Sequence, residues 1–263
     1  MRTAPLVRIL VGGALIATGA AVTVAFSPTA MPPFRHSADI HGEWVRYAGR
    51  GGDSVMAYVA YPERPDAGPG VIVIHEIFGM SDWIRSVADS LAAAGFVAIA
   101  PDLLTRRGTT PKLTDVRRAI SELPPDSITV DLDATYAYLQ TLKAVRRDAI
   151  GVIGFCWGGG QSFRYATNNP ALKGAVVCYG PAPDTASLRR IAAPVFGVYG
   201  ENDARITAAV PDVERAMQAA GKRYAKTVYP GTGHGFLRTR EPAAVADEAW
   251  QDILGFLRQS VGK

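Results

Sequence analysis

The spacing of hydrophobic positions changes along the chain, and each pattern predicts a different kind of element. Residues 41–48 and 55–61 alternate apolar and polar side chains on either side of a glycine-rich turn. This alternation predicts an antiparallel hairpin with one exposed face. From residue 70 onwards the alternation gives way to short apolar runs that are almost uninterrupted. Such runs are typical of parallel strands that are covered on both faces.

Six runs of this kind follow in order. Five are apolar, and the sixth is more polar, which predicts a strand near the edge of the sheet. They are Gly70–Ile74, Phe96–Ala100, Ala149–Ile153, Gly174–Val177, Pro194–Tyr199 and the more polar Tyr224–Tyr229. Apolar residues at helical spacing lie between the runs and after the last one. They predict helices over residues 83–91, 132–142, 157–168, 207–220 and 250–257. Strands that alternate with helices predict a doubly wound α/β sheet with right-handed crossovers.

Helix boundaries can also be inferred from capping residues. Ser81 or Asp82 is expected to cap the first helix, and Asp126 or Asp131 the second. Beyond residue 40 the amino-acid composition does not change in character along the chain, and the sequence contains no internal repeat. We therefore predict one α/β domain over residues 40–263.

The N-terminal segment has the composition of an export signal. Residues 9–26 contain no charged side chain, two arginines precede them and small residues follow. A basic start, an apolar centre and small residues beyond it are typical of a secretory signal peptide, with cleavage after Ala25 or Ala30. The run is also long enough for a membrane anchor. We therefore predict a signal peptide or membrane anchor in residues 1–30, a tether in residues 31–39, and an exported protein, periplasmic or extracellular.

Composition and charge narrow the classes of function. The chain has 263 residues, 28 Lys and Arg against 24 Asp and Glu, and a formal net charge of +4. Its paired arginines are scattered and lack the interleaved aromatic residues of a nucleic-acid surface, so we expect no nucleic-acid partner. Two cysteines are too few for a disulfide framework or a Cys-based zinc site. We expect no metal.

The candidate chemistry begins at the turn after the Ala149–Ile153 run. Residues 154–158 form a G-x-C-x-G sequence between a buried strand and a helix. This context is typical of a nucleophile elbow, in which a strained turn exposes one side chain above the sheet. The thiolate of Cys156 would lie at a helix N-terminus, which stabilises an anion. The alternative interpretation is a buried structural cysteine beside a tight turn.

Two further residues follow in the order nucleophile, acid, histidine. Asp203 lies in a loop after the Pro194–Tyr199 run, and His234 lies in a glycine-rich loop after the next one. His234 is the only histidine that follows Cys156 in the sequence. A loop aspartate is often a helix cap and a loop histidine is often merely solvated. The order of the three residues, each at the carboxyl end of a strand, nevertheless predicts a catalytic triad.

Glu76 follows the first apolar run, within the pentapeptide His-Glu-Ile-Phe-Gly of residues 75–79. A carboxylate after so apolar a strand is costly to bury without a partner. The carboxyl ends of parallel strands also face a common cleft. We therefore predict that Glu76 faces the same cleft as Cys156, with an ordinary hydrogen-bonded glutamate as the alternative. Because position 79 is glycine, the segment is not an HExxH zinc motif.

The second cysteine, Cys178, ends the strand that follows the predicted elbow. In an oxidising compartment it could pair with Cys156. Because a disulfide would disable the nucleophile, we predict that Cys178 is a small residue of the core.

Taken together, these motifs resemble the dienelactone hydrolase family of the α/β-hydrolase superfamily. The matching residues are His75–Gly79, Pro101–Leu104, Gly154–Gly159, Asp203 and Gly233–Phe236, in order over roughly residues 40–258. The resemblance implies the α/β-hydrolase fold, a mostly parallel sheet with an N-terminal antiparallel hairpin and helices on both faces. It also implies hydrolysis of a lactone or carboxylic ester, in the family's type case a dienelactone, without metal or organic cofactor.

The resemblance further implies a catalytic role for four residues. Cys156 would be the nucleophile, His234 the base and acid, and Asp203 the group that orients His234. Glu76 would help convert the thiol to a thiolate when substrate arrives.

Substrate contacts follow from the same resemblance. The backbone N–H groups of Ile77 and Trp157 would form the oxyanion hole. Arg238 matches one of the arginines that hold a substrate carboxylate in the family, and the second falls near Arg117 or Arg118.

The sequence therefore predicts a monomeric, cofactor-free hydrolase whose partner is a small ester or lactone, anionic if Arg238 has this role. Contact with a membrane is expected only through an uncleaved N-terminal segment. Two alternatives stay open: a general carboxylesterase or thioesterase, and a non-catalytic binding protein with the same fold.

Overall fold

An eight-stranded sheet runs through residues 40–49 and 52–262, the part of the chain that the computed structural model describes. The predictions for residues 1–30 and 31–39 lie outside these described residues. The strands are β1 (Ile40–Ala48), β2 (Ser54–Pro62), β3 (Gly68–Ile74), β4 (Val97–Pro101), β5 (Val145–Phe155), β6 (Ala175–Cys178), β7 (Val195–Gly200) and β8 (Tyr224–Tyr229).

Helices fill most of the connections between the strands. They are α1 (Asp82–Ala93), α2 (Val116–Ser121), α3 (Pro125–Thr141), α4 (Trp157–Asn168), α5 (Ala204–Thr207), α6 (Val210–Ala219), α7 (Phe236–Thr239) and α8 (Ala243–Val261). Short 3₁₀ turns cover Thr105–Arg107, Thr110–Lys112 and Thr185–Arg190. No helix of the described ranges is long and apolar enough to cross a membrane.

The strands lie in the order β1-β2-β4-β3-β5-β6-β7-β8. Strand β1 pairs with β2, and β2 with β4, in antiparallel fashion, whereas the strands from β4 to β8 pair in parallel. The predicted fold class, a mostly parallel sheet that begins with an antiparallel hairpin, is therefore confirmed. The more polar run forms β8, an edge strand as predicted.

Both faces of the sheet are covered, which explains the uninterrupted apolar runs. Strand β3 directs Val71 and Val73 into one core cluster, with residues of α1 and α8, and Ile72 and Ile74 into the other, with residues of α3, α4 and α6. Because side chains of a strand alternate between faces, a strand buried on both sides has no polar position.

Two details of the helices differ from the sequence-based expectations. Helix α3 begins after Pro124 without a side-chain cap, so the prediction that Asp126 or Asp131 caps it is wrong. The helix predicted over residues 207–220 begins later, at Val210 of α6, and residue 207 instead ends the separate short helix α5. Pro211 lies in the first turn of α6, where its missing N–H costs no hydrogen bond, and it cannot continue a helix from upstream.

The register of the central strands brings their carboxyl ends to one edge. Ile74 pairs with Gly154 across β3 and β5, and Phe155 pairs with Cys178 across β5 and β6. The loops that follow β3, β5 and β7 therefore emerge on the same side of the sheet. Ligands of parallel α/β sheets bind at this edge.

Candidate active site

Cys156 occupies the turn between β5 and α4 in a strained backbone conformation. Its φ is 56° and its ψ is −117°. Residues other than glycine rarely adopt positive φ, and such strain persists only where the surroundings enforce it. The surroundings here are two backbone hydrogen bonds, from Cys156 N–H to the Cys178 carbonyl (3.0 Å) and from Gly160 N–H to the Cys156 carbonyl (3.2 Å). The turn thus has the geometry of a nucleophile elbow.

The glycines around Cys156 allow this close approach of backbone segments. A Cβ atom at Gly154 would lie 1.9 Å from the carbonyl oxygen of Gly158. A Cβ atom at Gly158 would lie 2.3 Å from the carbonyl oxygen of His75. The first turn of α4 therefore packs directly against the end of β3, where a side chain would not fit.

A continuous hydrogen-bonded chain links Cys156, His234 and Asp203. Nε2 of His234 lies 3.0 Å from Cys156 Sγ, and Nδ1 lies 2.5 Å from Oδ2 of Asp203. Because a carboxylate only accepts, Nδ1 carries the hydrogen and Nε2 faces the sulfur. Asp203 takes the N-cap position of α5, yet its side chain caps no N–H group there and bonds His234 instead.

The electrostatics of this chain favour a protonated imidazole. The hydrogen bond to Cys156, reinforced by the one to Asp203, outweighs partial burial and raises the pKa of His234 to about 9. At neutral pH the sulfur therefore faces an imidazolium ion. This is the arrangement in which a cysteine reacts as a thiolate.

Tyr179 supports the imidazole and was missed by the sequence analysis. Its fully buried ring packs edge-on against His234 at a centroid distance of 5.2 Å, and against Phe236 at 5.9 Å. The only sequence signal was its position directly after the β6 strand. Because Tyr179 is itself packed against Phe236, its ring forms a fixed wall on one side of the imidazole.

Glu76 contacts Arg238 rather than Cys156, and it lies close enough to His234 for the two charges to interact. Its Oε2 is 3.2 Å from Nε of Arg238, and the residue is only 3% exposed. Burial raises the pKa of the Glu76 carboxyl to about 7, against the opposing effect of Arg238 and His234. A group with this pKa changes its protonation state near neutral pH.

Two arginines meet at one aromatic ring beside the cleft. The guanidinium of Arg238 lies 4.8 Å, and that of Arg117 4.9 Å, from the ring centroid of Phe78. Such cation–π contacts hold a guanidinium in place while leaving its N–H groups free to bind an anion. Arg118 points elsewhere and pairs with Glu122. Of the two arginines that the sequence left open, Arg117 is the one that contacts the same ring as Arg238.

The two candidate oxyanion donors have no hydrogen-bond partner in the described part of the chain. They are the backbone N–H groups of Ile77 and Trp157. Trp157 is the first residue of α4, where helix geometry leaves the N–H free. Ile77 lies in the turn after β3. The start of α4 packs against the end of that strand, where Gly158 approaches the carbonyl oxygen of His75.

A buried carboxylate holds the loop that carries Ile77. Asp102 accepts hydrogen bonds from the backbone N–H groups of Leu104 and Thr110 and from the Thr110 hydroxyl. The same hydroxyl oxygen accepts from the N–H of Met80, at the end of the loop. The aspartate of the Pro101–Leu104 motif therefore supports the site from behind.

Cys178 is a core residue, as predicted. It is fully buried, both cysteines are free, and burial together with the nearby Glu76 raises the pKa of the Cys178 thiol well above its usual range. Such a thiol is unreactive. Within residues 40–49 and 52–262, no group of three or more His, Cys, Asp or Glu side chains is placed to hold a metal ion.

The chain is similar in sequence to proteins of one family. The dienelactone hydrolase family matches residues 55–261. A protein of Escherichia coli K12 named "Putative carboxymethylenebutenolidase" is 35% identical over 232 residues, which is 81% of this chain and 85% of the relative. A Methylorubrum extorquens protein of the same name is 34% identical over 226 residues, covering 78% of this chain and 77% of the relative.

A solved structure shares the fold. The crystal structure titled "Putative Dienelactone Hydrolase" from Klebsiella pneumoniae aligns with a TM-score of 0.77 and 30% identity. The alignment covers 84% of this chain and 99% of that one.

Proposed function

The chain belongs to the dienelactone hydrolase family, and from this premise we propose that it hydrolyses a lactone or carboxylic ester through a thioester on Cys156. One observation carries the proposal: the Cys156–His234–Asp203 chain, with distances of 3.0 and 2.5 Å, stands at a strained elbow. The arrangement supplies a nucleophile, a proton carrier and an orienting carboxylate, which together define acyl transfer.

The first half of the reaction forms the thioester. The Cys156 thiolate attacks the carbonyl carbon, and the new oxyanion accepts hydrogen bonds from the N–H groups of Ile77 and Trp157. Each donor of this kind contributes about 2.7–4 kcal/mol to stabilising the transition state. The tetrahedral species then collapses, the C–O bond to the leaving oxygen breaks, and His234 gives that oxygen its proton. In a lactone the leaving oxygen stays tethered to the acyl group.

The second half releases the acid. Acylation removes the negative charge from sulfur, and with it the largest influence that raises the pKa of His234. The pKa of the imidazole therefore falls, and His234 can now take a proton from water as the water attacks the thioester. The Cys156 thiolate leaves, and the carboxylic acid departs. The same histidine thus serves as acid before acylation and as base after it.

The substrate that best fits this site is anionic. Arg117 and Arg238 present two guanidinium groups at Phe78, and Arg238 also contacts Glu76, whose pKa of about 7 lets it release a proton near neutral pH. A substrate carboxylate that engages Arg238 competes for the contact that Glu76 holds. Glu76 contacts Arg238 and not Cys156, so the role in thiolate formation that the family resemblance implies for it stays a prediction.

The decisive experiment compares the two cysteines. We expect Cys156→Ala to lower turnover of p-nitrophenyl acetate at least about 1000-fold, because removing the nucleophile leaves only binding and oxyanion stabilisation. The matched variant Cys178→Ala should stay within a few-fold of the wild type. Acid-quenched wild-type protein should carry an acetyl group on the peptide containing Cys156. Undiminished turnover by Cys156→Ala would refute the proposal.

A substrate panel separates the remaining candidate functions. Dienelactone, neutral aryl esters and thioesters should be compared at equal enzyme concentration, with dienelactone the preferred substrate under this proposal. A preference for thioesters would favour the alternative of a general carboxylesterase or thioesterase. Saturable binding of a lactone without turnover would favour a non-catalytic binding protein.

We also propose that residues 1–30 direct export, on the basis of their basic start and uncharged apolar run. Fractionation of a bacterial host that expresses the full chain should place it outside the cytoplasm, with its N-terminus after Ala25 or Ala30. An intact N-terminus in the membrane fraction would instead indicate an anchor, and an intact N-terminus in the cytoplasm would contradict export.

A further inference from the structure

His75 is a fully buried histidine that the proposed chemistry does not use. Its Nδ1 lies 2.8 Å from the carbonyl oxygen of Glu76. Because a carbonyl only accepts, Nδ1 carries the hydrogen of the ring. Burial lowers the pKa of the imidazole, so the ring is neutral and Nε2 carries no hydrogen. Nε2 has no hydrogen-bond partner within the described residues, and the ring therefore makes one directed hydrogen bond.

That hydrogen bond acts on the peptide group that presents Ile77. The Glu76 carbonyl and the Ile77 N–H belong to one planar trans peptide, so they point in opposite directions. The carbonyl oxygen accepts from His75 Nδ1 and also from the Gly79 N–H at 3.1 Å. Two donors on the oxygen fix the plane of the peptide. They also polarise it, which makes the N–H on the other side a stronger donor.

The ring of His75 also contacts the second candidate donor. It stacks on the indole of Trp157 with a centroid distance of 5.5 Å and an interplanar angle of 17°. The backbone N–H of Trp157 is the other expected oxyanion donor. Next to it, Gly158 packs against the carbonyl oxygen of His75. A single buried side chain therefore touches the two segments that supply both N–H groups.

We propose that His75 is a positioning residue of the oxyanion hole. Its ring fixes the Glu76–Ile77 peptide through the hydrogen bond to the Glu76 carbonyl oxygen, and it fixes the start of α4 by stacking on Trp157. This inference rests on the proposed function, because it assumes that the N–H groups of Ile77 and Trp157 bind the oxyanion. It assigns His75 no proton transfer and no contact with substrate. Its effect should therefore appear only in reactions that develop charge on a carbonyl oxygen.

Two reactions of the same sulfur separate this role from a general structural one. Iodoacetamide alkylates a thiolate at carbon, forming the C–S bond as iodide leaves, and develops no oxyanion. Acylation by p-nitrophenyl acetate passes through an oxyanion. His75→Phe keeps an aromatic ring against Trp157 and removes the Nδ1 donor. We expect it to slow acylation about 10- to 100-fold, mainly in kcat, because displaced donors cost rates of this order. Alkylation should stay within about twofold of the wild type.

A matched pair of variants tests the hydrogen bond itself and does not depend on the Phe variant folding. His75→Asn places an amide N–H at the position of Nδ1. His75→Leu introduces a side chain of nearly the same shape as asparagine but without a donor. Acylation by the Asn variant should be at least about fivefold faster than acylation by the Leu variant, with equal alkylation rates. Equal acylation by the two variants would overturn the proposal. A parallel loss of alkylation and acylation in His75→Phe would also overturn it, because His75 would then act on Cys156 or on the whole site.

The wild type distinguishes failure of this inference from failure of the proposed function. If wild-type Cys156 is not acylated, the proposed function fails and the inference falls with it. If the wild type is acylated and the His75→Phe and His75→Leu variants are acylated as fast as the wild type, the inference alone is wrong.

Discussion

Cys156 Sγ and His234 Nε2 lie 3.0 Å apart, and this contact is the largest influence that raises the pKa of the imidazole to about 9. The two side chains come from loops after different strands, 78 positions apart in the chain. Their juxtaposition makes His234 an acid at neutral pH for as long as the sulfur is free. The state of the sulfur therefore sets the protonation of the histidine, which can be measured directly.

The pKa of His234 should fall when Cys156 is replaced by Ala. The hydrogen bond to Cys156 is the largest influence, so this variant should lower the pKa more than Asp203→Asn does. Both values should lie below that of the wild type. NMR titration of the imidazole ring signals measures all three. An unchanged pKa in Cys156→Ala would mean that the contact with the sulfur does not control the proton.

Replacing Glu76 with Gln should stabilise the fold in a pH-dependent way. The folded state raises the pKa of the carboxyl from 4.5 to about 7, so between these values the native state binds more protons than the unfolded state. Wild-type stability therefore falls as pH rises from 4.5 to 7, whereas glutamine cannot ionise. The advantage of Glu76→Gln in the free energy of unfolding should grow by about 2–3 kcal/mol over this range and then stay constant.

Urea unfolding at several pH values measures this difference. Glu248→Gln, at an exposed position of α8, is the control and should show no comparable pH-dependent gain. A constant difference between Glu76→Gln and the wild type from pH 4 to 8 would argue against a raised pKa of Glu76.

Arg238 and Arg117 should recognise the charge of the substrate. Because a charge-assisted hydrogen bond is worth about 1.5–3 kcal/mol, Arg238→Ala or Arg117→Ala should raise KM for an acidic ester about 10- to 100-fold. KM for a neutral ester of similar size should change little. Arg118→Ala is the matched control, because this side chain pairs with Glu122 instead. Equal effects on acidic and neutral esters would remove the two arginines from substrate binding.

Glycine at position 158 should be indispensable, unlike glycine at position 255. A Cβ at position 158 would meet the His75 carbonyl oxygen at 2.3 Å, whereas one at position 255, within α8, would meet nothing within 4 Å. Gly255→Ala should raise the free energy of unfolding by about 0.5–1 kcal/mol through helix propensity. Gly158→Ala should lower it by about 1–3 kcal/mol, as overpacking does, and reduce ester turnover. Thermal unfolding and p-nitrophenyl acetate assays compare the two.

Much of the fold could be predicted from the sequence because a strand that is buried on both faces has an uninterrupted apolar sequence. Strand β3 has no polar residue between Val71 and Ile74, since each face receives two of these side chains. Helix ends were harder to predict. Asp131 looked like a cap, but it is buried within α3 and pairs with Arg106 from another part of the chain. Such long-range pairing overrides a local signal.

The candidate site, too, could be predicted only in part. Residues at the ends of strands, such as Cys156, Asp203 and His234, could be ordered along the chain because the fold class fixes which loops meet. The contacts of Tyr179 with His234 and of Arg117 with Phe78 depend on loop packing that no spacing encodes. The role of His75 depends on which atom of Glu76 its ring reaches, and that direction is set by the turn at Gly79.

The pair of guanidinium groups at Phe78 also bears on how substrate arrives. We expect the two like charges at this ring to create a positive potential that extends into solvent and draws anions toward the site by diffusion. Salt screens such attraction over about 10 Å at 0.1 M ionic strength. Encounter with an anionic ester should therefore slow as ionic strength rises, while a neutral ester reaches the site equally fast in any buffer. The protein would then select its substrate by rate of arrival before any group of the cleft has touched it.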